Sequence, residues 1–205
     1  MHRCYVVPES WTGTVLSVAP ETSHHLLDVL RLQNDDRVMA FDGCGRECPA
    51  RLQVERSAKG VPACRLVLLE AAHVVDRPLS VVLFQAMPKG KRFELIVEKG
   101  TELGVAEIHP IITERVVSRP SGKGRARLQR WTRIARNVAR QCGTPWTPRI
   151  TEPQPLAEKL DEIAKLPFSV VGSLFPGARE FRDVLRGLCD GEVPDRVGVI
   201  IGPEG

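Results

Sequence analysis

Between Leu79 and Thr113 the chain alternates between two kinds of hydrophobic pattern. Two short runs rich in Val and Ile, Leu79–Ala86 and Ile108–Thr113, flank a stretch in which Phe93, Ile96, Val97, Gly100 and Leu103 recur at spacings of three and four. Short continuous runs fit strands buried on both faces, and the intervening stripe fits a helix lying on a sheet. Gly104 follows Leu103 where a left-handed helix cap favours glycine. The unit is predicted to be strand–helix–strand, and its two strands are expected to be parallel.

Residues 1–70 have a different texture. The runs Val15–Val18, Arg37–Phe41, Ala50–Glu55 and Ala63–Leu69 are short and strand-like, with Asn34-Asp35-Asp36 and Asp42-Gly43 as turn formers between them. One helix is predicted from about Glu21 to Leu32, capped by Thr22 or Ser23, with Leu26, Leu27 and Leu30 inward. A small β-barrel with one helix is expected, ending near Ala72–Pro78, where the strand–helix–strand pattern begins.

Towards the C-terminus, Leu156–Lys165 is amphipathic and Phe168–Gly172 is a further buried-strand run. A helix from about Arg179 to Leu188 should bury Phe181, Val184, Leu185 and Leu188. Val197–Ile201 then leads into Gly202-Pro203-Glu204-Gly205. A hydrophobic parallel strand ending in a glycine-rich turn is how open α/β sheets bring backbone close to a ligand.

Charge sharpens this picture locally. The whole chain carries a formal +4. Yet Arg115, Arg119, Lys123, Arg125, Arg127, Arg130, Arg133, Arg136 and Arg140 occur with no acidic residue among them. A helix from about Arg125 would set Leu128, Trp131, Ala135, Val138, Ala139 and Cys142 on one face and Arg125, Arg130, Arg133, Arg136 and Arg140 opposite. A face of like charges repels itself, so a polyanionic partner such as RNA or DNA is expected. Lys89, Lys91 and Arg92 surround Gly90 at the entry to the preceding helix, where an anion is favoured; a solvated turn is the alternative. Arg3, His25 and Arg31 would join such a surface only if the fold gathers them.

Composition mostly excludes. At 205 residues and 42% hydrophobic, the chain can bury a core, and with 5% aromatics Val, Leu and Ile must fill it. No apolar stretch has the length of a membrane span and the N-terminus is too short and polar for a signal sequence, so a soluble, cytoplasmic protein is expected. Six scattered cysteines show no zinc spacing; reduced thiols and no metal are expected.

Four stretches, in this order, resemble the RsmE-type family of 16S rRNA uridine-N3 methyltransferases of the SPOUT class. They are HHLLDVLRLQNDDRVMAFDG (24–43), PKGKRFELIVEKGTELGVAEIHPI (88–111), RWTRIARNVARQCG (130–143) and VIIGPEG (199–205). The resemblance implies an N-terminal PUA-like β-barrel that helps hold RNA, over 1–72, and an α/β domain with a trefoil knot, over 73–205. It also implies a homodimer acting on 16S rRNA or the small ribosomal subunit. S-adenosylmethionine (SAM) would be bound by Gly172, Ser173 and Leu174 and by Gly202, Pro203, Glu204 and Gly205. RNA would be held by Arg3, His25, Arg31, Lys89, Lys91, Arg92, Arg115, Arg119, Arg130, Arg133 and Arg136. The family's glycine-rich motif runs on past Gly205 into a strand, a loop and a helix that close the knot, so the knot is expected to be incomplete over 73–205. In the segment Arg140–Thr144 the family pattern has an acidic residue where Arg140 stands and an Arg where Thr144 stands. The proton acceptor is not identified; Glu102 is the nearest carboxylate in the central unit. A SPOUT enzyme with another RNA target and a non-catalytic RNA-binding assembly factor are the alternatives.

Overall fold

The Val- and Ile-rich runs become strands because β-branched side chains pack well on a pleated surface. In the computed structural model, the described residues are 1–56, 62–77, 79–90, 92–114, 124–189 and 194–202. They form two compact units, Met1–Asp76 with Arg136–Thr147, and Arg77–Ala135 with Pro148–Gly205.

The first unit holds β1 (His2–Tyr5), β2 (Val15–Ser17), β3 (Arg37–Phe41), β4 (Arg46–Arg56), β5 (Pro62–Leu68) and β6 (His73–Val74). The sheet runs β1-β3-β4-β5-β2, with β6 beside β4. It wraps a single core of Cys4, Val6, Leu16, Leu26, Val38, Ala40, Ala50, Leu52, Cys64 and Leu66. The strands expected of a PUA-like barrel are present, but among the described residues β1 and β2 do not pair, so the sheet stays open. Strand β4 is longer than its apolar run, because Pro49 lies where the strand passes from β5 to β6 as its flanking partner.

The predicted helix is short. It is α1 (Pro20–His24) followed by a π-helical turn, His25–Val29. Pro20 stands at its first turn after Ala19, so neither Thr22 nor Ser23 is the cap. Ser23 is buried instead, its hydroxyl 3.4 Å from the backbone N–H of Cys64. Leu26 is fully buried, with Leu27 and Leu30 packed beside it.

The second unit is built on a fully parallel sheet. Its strands are β7 (Ser80–Ala86), β8 (Glu107–Ile112), β9 (Arg149–Ile150), β10 (Gln154–Pro155), β11 (Phe168–Val171) and β12 (Arg196–Ile201). Their order is β10-β8-β7-β12-β11, with β9 also on β8. Helices α2 (Arg92–Glu102), α3 (Gly124–Cys142), α4 (Leu156–Ala164) and α5 (Phe181–Cys189) complete the set; α3 ends in residues grouped with the first unit.

Phe93, Val97, Ile108, Trp131 and Ala135 form one cluster of this core, with Phe93 and Trp131 ring centroids 4.4 Å apart. Val82, Phe84, Ala86, Ile111 and Ile200 form another. Helix α2 ends as its sequence predicts. Gly104 adopts φ +79°, its N–H donates to the Thr101 carbonyl, and the Val105 N–H donates to Gly100. Leu103, however, is 83% exposed, because the turn carries it off the buried stripe. Cys142 also departs from the predicted apolar face and is exposed in the last turn of α3. On α5, Phe181 and Leu185 are exposed rather than buried; no described residue covers that face.

Candidate cofactor cleft and its supporting charges

In an open parallel sheet, ligands bind outside the carboxyl ends of the strands, where the strand order reverses. Here the chain steps from β7 to β8 and β10 on one side, then crosses to β11 on the far edge before β12 returns beside β7. The carboxyl ends of β8, β10, β11 and β12 open into one cleft of about 1350 Å³. Ligand pockets commonly hold roughly 300–1,000 Å³, so this volume admits a nucleoside-sized molecule with room beside it.

Gly172, Ser173 and Leu174, which follow β11, and Gly202, which follows β12, all line this cleft. Pro203, Glu204 and Gly205 lie outside the described residues. A Cβ on Gly202 would meet no described residue within 4 Å, so the backbone there faces open space among the described residues. The Ser173 hydroxyl accepts the Phe175 N–H at 3.2 Å and shapes the loop. The far wall comes from residues that sequence reasoning missed. Leu156, Ala157 and Leu160 of α4 supply apolar surface, and Ile112, Thr113 and Glu114 continue β8. The Thr113 hydroxyl oxygen is buried and makes no hydrogen bond to any described residue. Glu114 is the sole ionisable side chain among the described lining residues.

Beside the cleft wall lies a polar cluster that ties α4 to the sheet. The His109 ring, 1% exposed, stacks on Phe84 with centroids 4.9 Å apart. His109 Nε2 is 3.0 Å from Glu107 and 3.6 Å from Glu162, and Nδ1 is 3.4 Å from the Thr151 hydroxyl. Those partners assign the neutral tautomer, with Nε2–H donating to Glu107 and Nδ1 accepting from Thr151. Burial pushes the imidazole below its ordinary value, against the Glu107 hydrogen bond and the Glu162 charge. Glu107 also receives Arg149, and Arg196 at 2.5 Å. Burial alone would raise its carboxyl. The hydrogen bonds from His109 and Arg149 and the charges of Arg149 and Arg196 outweigh that and hold it below the ordinary carboxylate value. Lys159, itself buried, holds Glu162 at 2.7 Å. Each carboxylate thus has a cation on it, and the cluster is an ion-pair hub.

The predicted RNA-facing residues fall in both units and differ in what holds them. Arg3 is engaged inside the first unit: its guanidinium is 2.6 Å from Glu47 and lies over the Phe41 ring at 5.0 Å. Arg136 covers the Tyr5 ring at 4.3 Å, and Arg130 pairs with Glu94 at 2.7 Å. Arg133 is exposed and makes no ion pair among the described residues. Burial lowers the His25 pKa, reinforced by the charges of Arg140, His2 and His24. Arg31 is exposed in the left-handed region at φ 56°. Lys89 and Arg92 are exposed where α2 begins. Lys91, Arg115 and Arg119 lie outside the described residues. Thr144 accepts the Trp146 N–H at 3.2 Å, a turn-shaping contact. Glu102 is held by Lys99 at 3.0 Å on the exposed side of α2.

Residues 75–205 match the family model described as RNA methyltransferase domain, and residues 18–61 match the RNA methyltransferase PUA domain. The chain belongs to this RNA methyltransferase family. It is similar to ribosomal RNA small subunit methyltransferase E of Synechocystis, at 32% identity over 80% of this chain and 51% of that protein. It therefore spans about half the length of that relative. The enzyme of the same name from Bacillus subtilis is 27% identical over 92% of this chain and 73% of that protein. Among solved structures, a Neisseria gonorrhoeae ribosomal RNA small subunit methyltransferase E bound to S-adenosyl methionine has a TM-score of 0.80 at 27% identity. The alignment covers 99% of this chain and 80% of that one. A Legionella pneumophila protein solved with bound SAM has a TM-score of 0.81 at 31% identity, covering 100% of this chain and 81% of that one. No described helix is long and apolar enough to cross a membrane.

Proposed function

We propose that the full-length protein is a SAM-dependent methyltransferase that acts on N3 of a uridine in 16S rRNA of the small ribosomal subunit, as a cytoplasmic homodimer. One observation carries this reading: Gly172–Leu174 and Gly202, far apart in sequence, line a single cleft at the carboxyl edge of the sheet. Family membership and the SAM-bound structural relatives support the same choice. The domain reading that accompanies it assigns the first unit to RNA holding and the second to catalysis. The exposed Phe181 and Leu185 of α5 supply apolar surface for a second copy.

The residues present fit the cofactor. Gly172 and Gly202 let backbone approach a nucleoside closely. The Thr113 hydroxyl, buried without a described partner, is available to a polar group of the ligand. Leu156, Leu160 and Leu174 offer apolar walls that exclude water from one side. When bound, SAM supplies an electrophilic methyl on a sulfonium and leaves as S-adenosylhomocysteine. N3 lies on the Watson–Crick edge, so the target base must be unpaired or flipped to reach the cleft mouth. N3 gives up its proton to solvent water as the N–C bond forms and the methyl–sulfur bond breaks, and positioning it in line with the methyl is the chain's main task. Arg133, Lys89 and Arg92 would grip phosphates without choosing sequence.

The test is nucleoside mass spectrometry of 16S rRNA lacking the modification, incubated with SAM and full-length protein. New 3-methyluridine is expected in 16S rRNA and not in transfer RNA. A different methylated nucleoside, or methylation of transfer RNA alone, would replace this reading with another RNA target. RNA binding without any methylated product, despite measured SAM binding, would favour an assembly factor.

A further inference from the structure

Glu114 is the one ionisable side chain among the described residues lining an otherwise apolar cleft. The remaining side chains there are aliphatic, aromatic or proline, apart from the hydroxyls of Thr113 and Ser173. An apolar cleft with a single carboxylate is suited to a ligand that is largely apolar but carries positive charge. Glu114 is exposed to the cleft and makes no ion pair or hydrogen bond with a described residue. Its charge is therefore not already neutralised within the described fold, unlike those of Glu107 and Glu162 in the same unit. It directly follows Thr113, whose buried hydroxyl has no described partner. The carboxyl end of β8 thus presents one charge to this space.

We propose that Glu114 is a specificity-determining residue that makes the cleft prefer the cationic methyl donor over the spent product. The proposal rests on the SAM-binding reading above. Methyl transfer converts a sulfonium into a neutral thioether and removes one positive charge from the ligand. A carboxylate in the cleft attracts the donor and is indifferent to that charge once it is gone. Product release is then favoured by the reaction itself. The cleft is open to solvent, so the attraction is weakened by water and ions. A charge pair at such a site, within a Debye length, corresponds to a preference of about three- to tenfold.

The experiment is calorimetric titration of full-length wild-type protein, Glu114→Gln and Glu114→Asp with SAM, with S-adenosylhomocysteine, and with sinefungin, which carries an amine in place of the sulfonium. Wild type is expected to bind SAM and sinefungin more tightly than the thioether, and Glu114→Asp to keep that order. Glu114→Gln should lose about three- to tenfold for the two cations, with its affinity for S-adenosylhomocysteine nearly unchanged. The wild-type preference should shrink as salt is raised. Equal loss for all three ligands would overturn the proposal, since Glu114 would then bind a part they share. An unchanged preference accompanied by slower methylation would also overturn it and point to proton acceptance from N3. If wild type binds none of the three, the SAM reading itself fails, a result distinct from either of these.

Discussion

Replacing Glu107 by Gln removes one charge from the hub beneath the cleft and leaves a neutral acceptor of the same shape. The Arg149 side chain is 63% exposed, so losing that pair costs only about 0.5 kcal/mol. Arg196 is 40% exposed and contributes about 1 kcal/mol. The His109 bond persists as a neutral one, forgoing about 1 kcal/mol of charge assistance. A loss of about 2 to 3 kcal/mol is expected at pH 7, or a fall of about 1 to 1.5 M in urea midpoint for a slope near 2 kcal/mol/M. Two units make a single global transition an unsafe assumption. Trp131 is buried in the second unit, whereas Trp11 and Trp146 belong to the first. Fluorescence in a Trp11→Phe, Trp146→Phe background therefore reports the second unit alone. Because the folded Glu107 carboxyl titrates below its unfolded value, its contribution is present above about pH 4.5 and is lost as pH falls through the folded value. The gap between wild type and Glu107→Gln should close in acid. A midpoint within 0.2 M of wild type at pH 7, or a gap that is the same at every pH, would refute the hub.

Three further outcomes are expected. His109 is buried neutral with a lowered pKa, so its contribution is present above the unfolded value of 6.5 and is lost as pH falls below it; the same Trp131 assay should show that loss in wild type and not in His109→Gln. Arg133→Gln should flatten the slope of log K against log salt for RNA by roughly 0.7 to 0.9 with unchanged stability, whereas Arg136→Gln should also lower the melting point of the first unit because it uncovers Tyr5; equal behaviour of the two variants would contradict this. Peptide-mapped alkylation of the native protein should label Cys44 and Cys142, which are exposed, and spare Cys4, whose thiol burial pushes up to about 12; early labelling of Cys4 would contradict its placement in the core.

Periodicity revealed most of the second unit. The Val-rich runs became β7, β8, β11 and β12, and the glycine after Leu103 became a left-handed cap, because both signals are local. Strand β1 escaped notice because His2–Tyr5 carries two polar side chains and gains its place only by pairing with β3. The strand-like run begins only at Ala50, yet tertiary pairing with β3 carries β4 back through Pro49 and Cys48 to Arg46. Charge was the least legible feature. Arg3 meets Glu47 and Arg130 meets Glu94 across long sequence separations, so these ion pairs leave no local signal in the sequence. The glycine loops of the cleft could be read from their strand ends. Its other wall could not, because Leu156 and Leu160 carry the ordinary pattern of an amphipathic helix and Glu114 looks like any loop carboxylate.

The central claim is that SAM sits in the cleft at the ends of β8, β11 and β12. It is tested most directly by titrating SAM into full-length wild type and Gly202→Val. A Cβ at Gly202 meets no atom of a described residue within 4 Å, so the substitution should leave the fold intact while filling ligand space. The account predicts saturable binding by wild type and at least about a tenfold loss in Gly202→Val, with the melting temperature unchanged, since one obstructed contact is worth about 1.4 kcal/mol or more. Equal affinity of the two proteins would place the cofactor elsewhere and contradict the account.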